Sequence, residues 1–380
     1  MKVKFFNIVL ILVMLSLFRI YIIPMNINRV IKIASLFLAI MFMIKNVKEK
    51  KYYLNSVTFL GICIVLSSLL GYVNNHIIFS LFIDSTIYSA YLVCAFILIK
   101  YGFDNNMGQD IINIFYYIML FYYVLSIFSI VVVGSAPVLL LQYFAGNKFL
   151  TSYYLILFCV MFSIKCNVPS KHKLMYFFLI IFTLYMCYYI KCSTAVVSGL
   201  LLLLVYFNNL KIKKILMKKN TMLLTFALSG IFLLLLQSLL NISFVSHIIV
   251  DVLHEDLTLT GRTQIYAALP LIIKANPVLG YGYGNQIISS VVGYGNAQNA
   301  IFQFIVQFGI LGLLSLITIF LKAFTIKRHH ESFNIWPFYV YIYVILVSST
   351  VEVSFNYMFF IVLFTIYAFN SASLKKSKER

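Results

Sequence analysis

Charge is what this chain has least of: Asp, Glu, Lys and Arg together make up 10% of its 380 residues, against 63% hydrophobic residues. So few ionic groups cannot hydrate the surface of a soluble domain, which excludes that class. Cysteine is also scarce, at six residues, and never occurs as CxxC. That excludes a zinc ribbon and a disulfide framework; Cys63, Cys94, Cys159, Cys187 and Cys192 sit singly in apolar runs or at their ends and read as small packing residues. No spacing of His, Cys and Asp resembles a metal set, and no metal or other cofactor is expected. His76 and His247 stand alone, and His329 and His330 fall among basic residues. No small-residue cleavage site follows the first hydrophobic run, where Arg19 and Pro24 come instead, so that run is expected to stay as an anchor. The apolar stretches do not alternate with polar residues, which excludes a barrel. No basic run is interleaved with base-stacking aromatics, which excludes an RNA-binding patch. With no internal repeat and no Pro-, Ser- or Gly-rich linker, residues 1–380 are expected to form a single domain.

What the chain does have is hydrocarbon-compatible sequence from end to end, with a mean hydropathy of +0.99. Apolar runs of the ~20 residues needed to cross a bilayer as a helix recur about twelve times. They begin near Phe5, Val30, Asn55, Ile78, Ile111, Ser152, Leu174, Ser193, Thr221, Asn299, Asn334 and Val353. An all-α, polytopic membrane bundle follows. Most of the 29 Lys and Arg lie in alternate loops, among them "KNVKEKK", "KCNVPSKHK", "KIKKILMKK" and "KKSKER". The positive-inside rule makes those loops cytoplasmic, with both termini on that side.

Two of the remaining, external loops are long. One runs from about Gly134 to Thr151 and carries a single cation, Lys148; the other covers residues 241–298. A loop of that size in a compact protein is functional or disordered, and its apolar, aromatic composition argues for order. Within it, "LTGRTQIYAALPLIIKANP" reads as an amphipathic helix along the outer membrane face, capped at Thr260 or Gly261 and stopped by Asn276 and Pro277. "NPVLGYGYG" then turns through Gly280, Gly282 and Gly284, which permit close approach of another chain or a ligand. This is not a phosphate-cradling P-loop, because the following Lys-Ser/Thr is missing.

Arg262, at the start of the external helix, joins a planar cation to backbone N–H groups that favour an anion; a headgroup anchor or an ion pair with Glu255 or Asp256 fits the residue type equally well. Glu352, in "SSTVEVSFN" between the last two runs, is an acid close to hydrocarbon and therefore a site candidate. Asp84 raises the same flag inside the fourth run, where Ser85 and Thr86 offer local hydrogen bonds. His254 joins Glu255 and Asp256 in an external acidic patch.

"GRTQIY", "NPVLGYGYG" and "AQNAIFQFIVQFGILGLLSL", in that order, resemble the bacterial O-antigen polymerase and O-antigen ligase superfamily; "AGNKFLTSYY" and "STAVVSG" look like its weaker upstream signatures. The resemblance covers roughly residues 140–320. It implies a GT-C-like membrane glycosyltransferase acting outside the cytoplasmic membrane on undecaprenyl-pyrophosphate-linked oligosaccharides of a surface polysaccharide, with no nucleotide sugar and no required metal. A chain-length regulator and a flippase are the implied partners. Arg262 would stabilise the departing diphosphate and Lys148 would assist; Gly282 and Gly284 would let the backbone lie close to sugar and pyrophosphate, and Tyr281 and Tyr283 would offer stacking faces. Where ligase-like members have His-Asn, this chain has Gln298-Asn299, and Gln cannot take a proton as imidazole can. That favours a polymerase over a ligase and leaves Glu352 or His254 as the proton acceptor, or Gln298 as a positioning group. A lipid-linked oligosaccharide flippase also suits about twelve spans, but would line them with Arg and Lys, of which the runs hold almost none.

Overall fold

The structure, a computed structural model, describes residues 2–18, 23–135, 143–168, 172–239, 262–325 and 334–378. Among them the chain is helical, with no β-strand and one isolated bridge between Tyr143 and Gly146. In order the helices are α1 (Lys2–Leu17), α2 (Met25–Asn46), α3 (Ser56–Val73), α4 (Phe79–Asp104), α5 (Gly108–Val133), α6 (Lys148–Lys165), α7 (Lys173–Tyr189), α8 (Ser193–Gly199), α9 (Leu202–Phe207), α10 (Leu210–Leu216), α11 (Lys219–Leu239), α12 (Arg262–Ala275), α13 (Ile287–Val292), α14 (Ala300–Ala323), α15 (Trp336–Ser348) and α16 (Tyr357–Lys378). Six of them, in α2 to α6 and α14, are long and apolar enough to cross a bilayer; several others are apolar but shorter. The run expected from Ser193 is divided into α8 and α9, and His254, Glu255, Asp256 and the expected cap residues Thr260 and Gly261 lie outside the described residues.

Burial sorts the helices by their surroundings. Residues 95–99 of α4, 338–346 of α15 and 358–364 of α16 are buried on all sides, so these helices form the centre and need no polar face. Rim helices instead expose large apolar side chains at helical spacing, such as Leu174, Phe178, Ile181, Tyr185 and Tyr188 on α7. Such a stripe suits lipid and not water. The lysine-bearing ends gather at one end of the bundle: Lys165 Nζ donates to Asn113, Lys100 to Ser371 and Lys213 to Asn334.

One helix is broken. Gly309 has φ 64° and ψ −169°, which splits α14 into arms 300–308 and 310–323. The break is filled by "NPVLGYGYG". Tyr281 N donates to Val306 O (2.9 Å) and Gly282 N to Gln307 O (3.0 Å), while Ile310 N donates to Pro277 O (2.9 Å) and Leu311 N to Val278 O (3.2 Å). Each helical carbonyl that has lost its donor four residues on, and each N–H that has lost its acceptor, is therefore satisfied by the inserted loop, as an apolar interior requires. Ser67 donates to Gln307 O and Ser68 accepts from Tyr283 N, which binds α3 to the same junction.

The glycines make this possible. A Cβ at Gly309 would lie 2.2 Å from Val278 O, and one at Gly280, whose φ is 69°, would lie 2.6 Å from Val306 O. Over the junction lies α12, whose Ile265, Tyr266, Leu269 and Ile272 pack with Tyr281, Ile288, Ala297 and Val306 in a second small core. The helix expected from Arg262 to Ala275 is thus present, and its buried face covers the break.

Gly309→Ala is expected to lower the unfolding midpoint in detergent strongly, in the range of the most damaging single substitutions. Gly295→Ala, with nothing within 4 Å of the added carbon, should shift stability by less than about 0.5 kcal/mol.

Candidate active site

Three charged residues from separate segments meet on the side of the bundle opposite the lysine-bearing ends. Lys148 opens α6, whose first turn is capped by Asn147 accepting from Leu150 N at 2.9 Å. Its ammonium donates to Lys191 O at 3.0 Å, just beyond α7. Arg262 opens α12 and reaches Val351 O at 3.4 Å. Glu352 sits in the turn after α15, fixed by Glu352 N donating to Ser348 O (3.0 Å) and Ser354 N donating to Glu352 O (3.0 Å).

That turn is held by the lower arm of α14. Asn299 caps the arm by accepting from Ile301 N and Phe302 N, and its amide donates to Ser229 O at 2.9 Å and Thr350 O at 3.4 Å. Ala300 N adds a bond to Ser349 O. Asn299 is fully buried, and these bonds commit it to the junction of α11, α14 and the Glu352 turn. From the Lys213–Asn334 contact upward, α15 has only 13 residues, a rise of about 20 Å. This is shorter than the ~30 Å of a bilayer's hydrocarbon core, and Glu352, in the turn that follows, sits half-buried in a recess.

This recess sets the electrostatics. Burial pushes the Glu352 carboxyl up from its ordinary 4.5 to about 7, and the Arg262 and Lys148 cations pull in the opposite direction. A carboxyl poised there can take up and return a proton near neutral pH. The two cations act on it from separate segments, Arg262 from α12 and Lys148 from α6.

Next to Glu352 and two residues along from Lys148, Val353 and Leu150 line a cavity of about 420 Å³, within the range of small-molecule sites. Tyr283, Gly284, Gln303, Gln307 and Asn356 also line it. Tyr283 is stacked between Tyr88 (5.1 Å between ring centroids) and Phe308 (6.4 Å). Of the glycine turn, Gly284 faces the cavity, whereas Gly282 lies against Ser68 of α3.

Tyr281 is not at the cavity. It is 4% exposed, its hydroxyl donates to Ile272 O at 2.9 Å, and its ring meets His76 edge-on. Gln298 has φ 48° and is half-buried outside the lining, and His254 lies outside the described residues. Asp84 pairs with Arg29 of α2 at 2.8 Å.

Two cations of α2 escape a reading of the sequence alone: Arg29, and Lys32, which lines the cavity with its Nζ 5.7 Å from the centre of the Tyr357 ring. Their spacing of three residues, which places both on one helix face, was the available signal. Among the described residues no group of three or more His, Cys, Asp or Glu could hold a metal ion.

The raised Glu352 value has a sign for stability. The folded chain holds this proton more tightly than the unfolded chain, so the contribution is complete below about pH 4.5 and is lost as pH rises through about 7. The unfolding midpoint of the wild type is expected to fall from pH 5 to pH 8 more steeply than that of Glu352→Gln in detergent melts. Parallel curves would contradict the assignment.

Compared with known protein families, residues 174–317 match the family described as O-antigen ligase (Wzy_C). No curated protein and no solved structure matches the chain. The matched segment holds Arg262, the glycine turn, Gln298-Asn299 and the Gly309 break; Lys148 and Glu352 lie outside it. Over that segment, less than half of the chain, the sequence is similar to the O-antigen ligase family.

Proposed function

We propose that the protein polymerises undecaprenyl-pyrophosphate-linked oligosaccharide repeat units of a surface polysaccharide, moving the growing glycan onto the incoming unit. The observation that carries this reading is a carboxyl poised near pH 7 between two cations, beside an aromatic and amide-lined cavity. In the transfer, a hydroxyl oxygen at the non-reducing end of the incoming unit attacks the anomeric carbon of the growing glycan. The bond from that carbon to the diphosphate oxygen breaks, and the electron pair leaves with the diphosphate. The Glu352 carboxylate receives the hydroxyl proton, and Arg262 and Lys148 stabilise the charge that develops on the leaving group, where fixed positive charge acts most strongly. Gln303 and Gln307 offer amides to sugar hydroxyls.

Sidedness follows from the positive-inside rule: the lysine-bearing ends face the cytoplasm and the Glu352 recess opens on the other side of the cytoplasmic membrane, in an arrangement of about twelve passes. A chain-length regulator and a flippase would be the functional neighbours. The family description favours a second reading, transfer of a finished glycan by a ligase. Gln298, where a histidine would serve as base, weighs against it.

The test is the purified chain in lipid with a synthetic lipid-linked repeat, scored for a ladder of products. A single addition to a different acceptor would indicate the ligase. Glu352→Gln should cut the rate by roughly 10²- to 10⁴-fold and Arg262→Ala by roughly 10²- to 10³-fold. Because the carboxylate is the active form, the wild-type rate should rise with pH through an inflection near 7 that Glu352→Gln lacks. Arg262→Ala protein that extends the repeat at full rate would refute the role given to that residue.

A further inference from the structure

A transfer between two lipid-linked diphosphates needs two places for anions, because like charges held together repel strongly in a low-dielectric recess. Lys148 and Arg262 supply one. The cavity supplies the features of a second. Lys32 is the one charged side chain among the described residues that line it. It lies in an apolar helix whose Val30, Ile33 and Phe37 are exposed, so this side chain departs from the lipid-compatible face of α2. An amine at this depth is costly, and such residues mark substrate paths.

The turn that carries Lys32 is fixed in place. Its carbonyl accepts from Ser35 Oγ (2.9 Å) and from the Tyr91 hydroxyl, and Ser35 Oγ lies 2.8 Å from Ser16 Oγ of α1. Beside the amine stands the Tyr357 ring, and Tyr88 and Tyr283 line the same cavity. Tyr88 stacks on Tyr283 at 5.1 Å and meets Tyr357 edge-on at 4.9 Å. Phenol rings and hydroxyls lining a cavity suit the apolar and polar edges of a sugar, and a cation beside them suits a phosphate attached to it.

We infer that Lys32, with Tyr88, Tyr283 and Tyr357, forms a second phosphate-and-sugar subsite, which takes the lipid-linked acceptor. The assignment of the acceptor rests on the proposed polymerase reading. The same chemistry would receive the headgroup of an anionic phospholipid, so the test separates the two.

The experiment uses the full chain in phosphatidylcholine nanodiscs with a repeat unit joined to its lipid diphosphate through carbon, which cannot be cleaved. Bound copies are counted by native mass spectrometry. The wild type should bind two, Lys32→Met one, Arg262→Ala one and the double variant none, while Lys32→Arg should retain two. Lys32→Gln, expected to behave as Lys32→Met, serves if that variant does not fold. In product assays with a donor blocked at its non-reducing end, Lys32→Met should raise the acceptor KM about tenfold and leave the donor KM unchanged. Lys32→Met or Lys32→Gln protein that still binds two copies would overturn the inference, as would loss of the Lys32-dependent copy to phosphatidylglycerol. Two copies that follow this pattern without any product ladder would keep the subsite and refute the polymerase reading, so the two failures are distinguishable.

Discussion

Inside hydrocarbon, a backbone amide without a partner costs several kcal/mol, and that constraint governs how this chain builds a site. A helix broken at Gly309 would leave Val306 O, Gln307 O, Ile310 N and Leu311 N unpaired. The loop at 277–282 satisfies all four, so two helical bonds are exchanged for four bonds between segments about thirty positions apart. The exchange fixes the arm 300–308, and what rests on that arm is fixed with it. Asn299 at its tip ties down the turn of Glu352, and α12, packed over it, brings Arg262 to the same turn.

α15 rises only about 20 Å, and in the turn that follows it burial pushes the Glu352 carboxyl up to about 7. Arg262, from α12, and Lys148, from α6, pull that value back down. A buried acid and two cations thereby come together, with the adjacent Val353 lining a cavity of rings and amides, while the lysine-rich ends remain remote from them.

Much of this was legible in the sequence. Continuous apolar runs required helices, and a helix capped near Thr260 or Gly261 and stopped at Asn276 followed from its periodicity, as α12 shows. Lys148, Arg262 and Glu352 stood out because charge is so rare in this chain. Their convergence was not legible, since it depends on pairings between residues 277–282 and 306–311 that no local pattern encodes. For the same reason the glycine turn suggested a ligand, whereas Gly280 and Gly282 pack against protein backbone and only Gly284 reaches the cavity. Tyr281 and Tyr283 are alike in sequence; which one is buried depends on the direction in which the inserted strand of backbone enters α14. Beginning the second run at Val30 split Arg29 from Lys32 and concealed their common face, which α2, starting at Met25, restores.

The most direct measurement of a shared recess is the Glu352 carboxyl itself, followed by pH-difference infrared spectroscopy with the Glu352→Gln protein as the blank. Since Arg262 and Lys148 both hold the value down, it should begin near 7 and climb further in Arg262→Met and in Lys148→Met. A carboxyl that titrates at the same pH in all three proteins would mean that the charges do not meet.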